Sequence, residues 1–381
     1  MSTLRVNTLQ NTSTTDGGIS IDTSGHVTVD GQVLPSAGPL SNRNLVINGA
    51  MQVAQRATQV TGVTTGDYRT CDRFRVNMSN LGTWTIDQDT NAPNGFSNSF
   101  KITCTTADAS PDANDNIFCT YFVEAQDLQS LAYGTSDAQA VTLSFWVRSN
   151  KTGNATFAIH QDDNSNKLAS YQYSISSADT WEHKTITIPG DTAGVINNDN
   201  GIGLNLEWWL NGGSTFEGGS HQATYSTFSN TNRNPSNLGV GGATSDYFAI
   251  TGVQLEVGSV ATPFEHRSYG DELLRCQRYY QHYTTDTASA VYLGMGIAAG
   301  STSARMFMPL AVPMRTTPSI TENGASADDQ IDSTYPLSSP QVVASTASTV
   351  RVQFTASSMT GGRPIQLQVG PGESITLSAE L

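Results

Sequence analysis

Apolar and polar residues alternate in short runs through the middle of the chain, most clearly over residues 140–148. Val141, Leu143, Phe145 and Val147 fall on one side of an extended segment, and Thr142, Ser144, Trp146 and Arg148 on the other. That period of two is the pattern of a half-buried strand. Phe157 and Ile159 continue it, as do residues 184–188, and residues 203–210 repeat it with Leu204, Leu206, Trp208 and Leu210 on one face and Asn205, Glu207 and Trp209 on the other. Polar clusters such as Ser149-Asn150-Lys151-Thr152-Gly153-Asn154 separate these runs. Short strands at even spacing with polar turns predict a sandwich or jelly roll over residues 41–266. Trp208 and Trp181 are assigned to its core, whereas alternation puts Trp146 and Trp209 on the outer face.

The flanks read differently. Residues 1–40 hold two short alternating segments, 18–22 and 25–30, separated by a Thr-Ser-Gly turn, with Asp30-Gly31 as a further tight turn. An isolated hairpin is marginal in water, so Ile19, Ile21, Val27 and Val29 are expected to pack against copies of the same chain or a larger partner. Pro35-Ser36-Ala37-Gly38-Pro39 reads as a linker. Over residues 267–283 the spacing predicts one helix, with Ser268 as its cap and Asp271 at the third helical position. Tyr279, Tyr280 and Tyr283 on it are candidates for an intersubunit contact. Residues 284–381 return to strand-like text, enough for a second sandwich. The expected fold is all-β: a jelly-roll sandwich plus a C-terminal β-sandwich, a short N-terminal β segment and one connector helix.

Charge and cysteine usage narrow the function. Thirty-three acidic residues against nineteen basic ones leave a formal charge of −14 over 381 residues, which repels phosphate backbones and argues against nucleic-acid binding. No apolar run approaches the roughly 18–20 residues that span a bilayer, and Met1-Ser2-Thr3-Leu4-Arg5 does not begin a signal peptide; no membrane insertion is expected. Cys71, Cys104, Cys119 and Cys276 lack paired spacing for zinc. They read as free thiols, with a Cys104–Cys119 disulfide between neighbouring strands as the alternative.

Among possible chemistries, the six histidines show no metal-binding spacing, and no nucleophile elbow or phosphate loop is present. No cofactor is expected. Glycan hydrolysis needs two carboxylates about 5–10 Å apart; Glu207 and Glu182 are the pair to consider if their strands share a sheet, and two solvated carboxylates otherwise. Carbohydrate binding needs less. Sugar rings stack their apolar C–H faces on exposed aromatic rings while polar side chains satisfy the hydroxyls. Trp146, Trp209, Tyr171 and Tyr173 are the candidate stacking residues, with Asn205, Glu207 and His160 as polar partners; packing under loops is the alternative for these aromatics.

Four segments carry a resemblance. They are Asn42-Arg43-Asn44-Leu45-Val46-Ile47-Asn48-Gly49-Ala50-Met51-Gln52, Ile250-Thr251-Gly252-Val253-Gln254-Leu255-Glu256-Val257-Gly258, Ala261-Thr262-Pro263-Phe264-Glu265-His266-Arg267-Ser268-Tyr269 and Leu274-Arg275-Cys276-Gln277-Arg278-Tyr279-Tyr280. In this order the chain resembles, over about residues 41–320, a group of bacteriophage tail-fibre and virion structural proteins of marine and cyanobacterial phages. The resemblance implies a homotrimer in the virion tail, assembled in the host cytoplasm. Residues 1–40 would join a phage tail or adaptor protein, and the β domains would adhere to a host surface polysaccharide without catalysis. A head fibre or capsid decoration and a polysaccharide depolymerase are the alternatives. More distantly, residues 41–266 are similar to jelly-roll carbohydrate-binding modules. Many of those hold a structural calcium with a Glu and an Asp; here Gln52 stands in place of the Glu and Thr251-Gly252 in place of the acids, so no metal is expected.

Overall fold

The alternating runs form strands, and their apolar faces close on one another as a sandwich. The computed structural model describes the chain apart from residues 1–7, 10–17, 24, 30–31, 164–165, 286, 330 and 332, and it divides into two units, Met1–Arg267 and Ser268–Leu381. In the first unit a six-stranded sheet runs in the order Glu182–Ile188, Val141–Ser149, Tyr247–Val257, Ser99–Thr106, Thr83–Asp89, Gln59–Val63. Its seven-stranded partner runs Ser226–Thr227, Lys167–Ile175, Gly153–Gln161, Ile202–Gly212, Asn116–Glu124, Phe74–Ser79, Asp67–Tyr68. All the ladders are antiparallel. Val141, Leu143, Phe145, Phe157, Ile159, Leu206 and Trp208 meet in the core between the sheets, as period-two alternation requires.

The two segments that bracket this unit are its fastening. Asn44 Oδ1 accepts from the backbone of Val46 and Leu255, and Asn44 Nδ2 donates to Val253 O. Glu265 accepts from the amides of Arg43 and Asn44, and Arg267 donates to the carbonyls of Asn44 and Val46. At the Asn48-Gly49 turn the backbone passes so close to the last strand that a Cβ on Gly49 would lie 2.1 Å from Val253 O. Only glycine fits there.

Several expectations change. Glu182 and Glu207 lie on different sheets of the sandwich, so they do not form a pair across one groove. Cys104 and Cys119 also lie on different sheets, and all four cysteines are free and buried. Trp208 is fully buried, as alternation requires, but Trp181 is only half-buried at a strand end, with its Nε1 donating to Asn91 Oδ1 at 2.9 Å. The Pro35–Pro39 stretch is no free tether: Ala37 packs against the core and Ser36 Oγ accepts from Ser259 N. Ahead of it, Thr8–Leu9, Ile19–Ile21, Val27–Val29 and Gln32–Val33 form a small antiparallel meander. There Ile19 and Ile21 stay exposed while Val27 and Val29 are half-buried. The Asp30-Gly31 turn lies outside the described residues.

In the second unit the helix is shorter than its spacing suggested. It spans Tyr269–Gln277, with the Ser268 hydroxyl accepting from Asp271 N. Beyond it Tyr280–Thr284 is a strand paired with Ser374–Ser378, since an aromatic and β-branched run packs better on a pleated surface. Tyr279 and Tyr280 are buried, which argues against them as intersubunit contacts, and Tyr283 is half-buried against the second core with its hydroxyl donating to Pro309 O. The Tyr280–Thr284, Ser374–Ser378 and Ser319–Asn323 strands form one layer of a sandwich. The other has seven strands in the order Thr334–Pro336, Ser326–Asp328, Pro364–Val369, Val291–Ala298, Ser303–Pro309, Thr349–Thr355, Ser338–Ser345, with one core between the layers.

Candidate functional site

The sequence-derived residues divide between the two outer faces of the first unit and its core. Tyr173 points inward, 5.3 Å from the Phe145 ring. Tyr171 shares that inward side of its strand and is half-buried, with its hydroxyl bonded to Ala223 O. Neither offers a ring face for stacking. His160, Asn205, Glu207 and Trp209 do come together, on the outer face of the seven-stranded sheet. His160 pairs with Asn205 across the ladder, and Glu207 and Trp209 follow two and four residues on.

That face is sealed. Residues 213–236 fold over it and bring Phe216, Phe228 and Arg233 down onto Trp209, which is fully buried and stacked 4.5 Å from Phe118. The Arg233 guanidinium lies 4.9 Å from the Trp209 ring centroid and 5.1 Å from that of Phe118, a cation–π arrangement. Glu207 is 1% exposed and its oxygens are taken: Arg233 Nη2 at 2.7 Å, Trp209 Nε1 at 3.0 Å, His160 Nε2 at 3.1 Å and Asn205 Nδ2 at 3.3 Å. Burial pushes its carboxyl up, but His160 and Arg233 outweigh burial and hold it at about 2. A permanently ionised, fully bonded carboxylate is a structural anchor and a poor general acid.

Trp146 is on the other outer face, and that face is open. The Val141–Ser149 strand carries Trp146 directly opposite His183 of the neighbouring strand, with ring centroids 5.2 Å apart. On its other side the ladder to Tyr247–Val257 slips between Ser144 and Trp146, at a bulge containing Gly252 with φ +59°. A Cβ there would sit 2.7 Å from the Phe96 ring and 2.9 Å from the Trp146 ring. The bare backbone of Gly252 is therefore the floor on which both rings rest. Phe96, on the loop after Thr83–Asp89, meets Phe264 edge-on at 5.0 Å and His266 at 5.2 Å.

The result is a cleft of about 460 Å³ lined by Trp146, His183, Phe96, Phe264 and His266, with Ser144 and Asn94 among its polar groups. Trp146, Phe96 and Phe264 are half-buried, and both histidines are exposed. Partial desolvation by the protein around its ring, then the Lys184 charge, lower the His183 pKa, so at neutral pH its imidazole both donates and accepts. The volume lies within the range of small-ligand sites, and the chemistry is that of an apolar ring-binding floor with hydrogen-bonding edges.

Sequence reasoning missed Phe96, Phe264, His266 and His183 as partners of Trp146. A glycine inside an otherwise apolar strand, Gly252, was the available signal for a bulge and a close approach. A calcium does not fit where the carbohydrate-module resemblance would put one. The carbonyls of Met51 and Gln52 accept from Gln88 Nε2, and among the described residues no three His, Cys, Asp or Glu side chains group to hold a metal.

No protein-family model matches the chain, and no curated protein matches it. Among solved structures it is similar to the enzymatically active domain of bacteriophage CBA120 tailspike protein 4, at 13% identity over 56% of this chain and 21% of that one, with a TM-score of 0.30. It is also similar to a putative sugar binding protein from Bacteroides thetaiotaomicron, at 13% identity over 56% of this chain and 100% of that one, TM-score 0.31. TmCBM61 in complex with β-1,4-galactotriose is similar at 12% identity over 57% of this chain and 99% of that one, TM-score 0.25. The chain thus spans about a fifth of the tailspike domain.

Proposed function

We propose that this chain is a virion fibre component, a homotrimer in the phage tail that adheres to a host surface glycan without catalysis, and that the cleft over Gly252 takes the sugar. The observation that carries the reading is the cleft itself: three half-buried aromatic rings, two histidines and a serine gathered over a sheet bulge at Gly252, open to solvent. A pyranose ring laid on Trp146 gains apolar contact through its C–H face while its hydroxyls meet His183, His266 and Ser144. The separation of Glu182 from Glu207 on different sheets supports binding over hydrolysis. Weak single sites suit a fibre, because several copies on one particle raise the effective concentration of each sugar contact.

The test is to titrate the purified full-length protein against a panel of immobilised bacterial surface polysaccharides and neutral β-glucans and galactans, beside Trp146→Ala. At least one glycan should bind, and Trp146→Ala should weaken it at least ~10-fold, about 1.4 kcal/mol. A glycan held equally well by both proteins would remove the cleft from the reading, and silence across the panel would remove adhesion.

A further inference from the structure

The second unit carries a sheet face that is apolar where a solvated face should be polar. On its seven-stranded layer one cross-strand row reads Asp328, Gln366, Met295, Phe307, Arg351, each residue paired directly with the next. Their strand neighbours Ala327, Leu367, Met306 and Val352 point into the core, so the row points outward. Met295 is 64% and Phe307 57% exposed, and the adjoining Ile297 and Tyr292 are 47% and 49% exposed. These four side chains, on two adjacent interior strands of the layer, present an apolar stripe of roughly 400 Å², the size of the largest and often functional patch on a typical protein surface.

The row is also polarised. Asp328, whose carboxylate accepts from the Tyr292 hydroxyl at 3.0 Å, stands at one end, and Arg351 at the other with Arg305 nearby. Four strand spacings of ~4.8 Å separate the ends by about 19 Å.

We propose that this face is where copies of the chain meet, the acidic end of one row against the basic end of the next, with Met295, Ile297 and Phe307 enclosed between them. A polarised row fits a three-fold ring of copies, the Asp328 end of each meeting the Arg351 end of the next and the apolar stripes turned toward the axis. The apolar stripe supplies about half of the ~800 Å² per partner that a stable interface buries, and flanking Gln366, Gln353 and Arg351 can supply the rest. This deepens the oligomer part of the proposed function and moves it off Tyr279 and Tyr280; it is independent of the sugar cleft.

The test is native mass of the full-length protein by light scattering, for wild type, Phe307→Asp, Arg351→Glu and Arg351→Glu with Asp328→Arg. Phe307 lies outside the core, and unchanged circular dichroism will show that Phe307→Asp still folds. Wild type should be an oligomer, Phe307→Asp should raise its dissociation constant at least ~30-fold, and the double charge swap should restore what Arg351→Glu loses. A monomeric wild type, or an oligomer indifferent to Phe307→Asp, overturns this interface. In the second case the fibre reading survives with a different contact, and glycan binding measured on the same proteins reads the cleft separately.

Discussion

Glu207→Gln is the sharpest probe of what holds the first unit together, because it keeps the side chain's shape and removes its charge. The carboxylate is 1% exposed, accepts from Arg233, Trp209 and Asn205, and lies 3.1 Å from His160 Nε2. Its pKa falls from 4.5 to about 2 even though burial alone would raise it, because His160 and Arg233 favour the charged form more strongly. Through linkage a fall of that size corresponds to about 3 kcal/mol of stability, in line with the ~3–5 kcal/mol lost when one partner of a buried pair is removed. Because the folded-state pKa is depressed, this stabilisation is complete above the ordinary value of 4.5 and is lost as pH falls toward 2. Asp162, whose carboxyl is pushed up to about 6 chiefly by burial, titrates above that window. All five tryptophans lie in the first unit, so urea unfolding followed by tryptophan fluorescence reports that unit alone. At pH 7 Glu207→Gln should be less stable by roughly 3 kcal/mol, and the gap to wild type should close between pH 4.5 and 2. A gap under ~1 kcal/mol at pH 7, within the range of exposed ion pairs, or one that ignores pH, would refute the anchoring role.

Three further outcomes follow from the same geometry. Gly252→Ala meets two rings at under 3 Å in a left-handed backbone, and should cost the first unit about 1–3 kcal/mol while weakening glycan binding; fluorescence unfolding and the binding panel check both. Asp329→Ala should destabilise the second unit by ~3–5 kcal/mol and leave the tryptophan transition unmoved, because its carboxylate is 1% exposed and bonded to Arg363 at 2.7 Å, Tyr335 and two backbone amides; calorimetry resolves the two transitions. Burial raises the thiol pKa values of Cys71, Cys104 and Cys119, so a thiol reagent at pH 8 should label no cysteine in native protein and all four after denaturation.

The fold was legible because alternation is local. The strand over Val141–Ser149 presents the same inward set, Val141, Leu143, Phe145 and Val147, that its text announces. What alternation cannot say is whether an outward residue meets water. Trp146 and Trp209 have the same pattern, and they differ because residues 213–236 cover one sheet face and not the other. Covering is a long-range property: Arg233 is 26 residues from Glu207 in sequence, and no short window holds both. The helix was overextended for a related reason. Leu273, Cys276 and Tyr280 fit a helical period, but Tyr280–Thr284 finds a ladder partner nearly 100 residues later, and a paired strand outweighs two more turns of helix.

The segment after the last strand shows how one stretch of sequence serves fold and site together. Residues 264–267 alternate. Phe264 and His266 turn into the cleft, while Glu265 and Arg267 turn back to fasten Arg43, Asn44 and Val46 at the start of the unit. Gly252, two strand positions before Gln254, couples the same way, because Gln254 accepts from Glu265 N. The cleft is therefore built on the joint that closes the sandwich, which gives it rigid positioning. In the proposed sugar-binding reading its specificity rests on Trp146, His183 and Phe96, which come from an interior strand, an edge strand and a loop and take no part in the closure. Substitutions at those three should change which sugar is held with little effect on unfolding, whereas Glu265→Ala should weaken both at once; separate loss of stability with binding intact would break the link between joint and cleft.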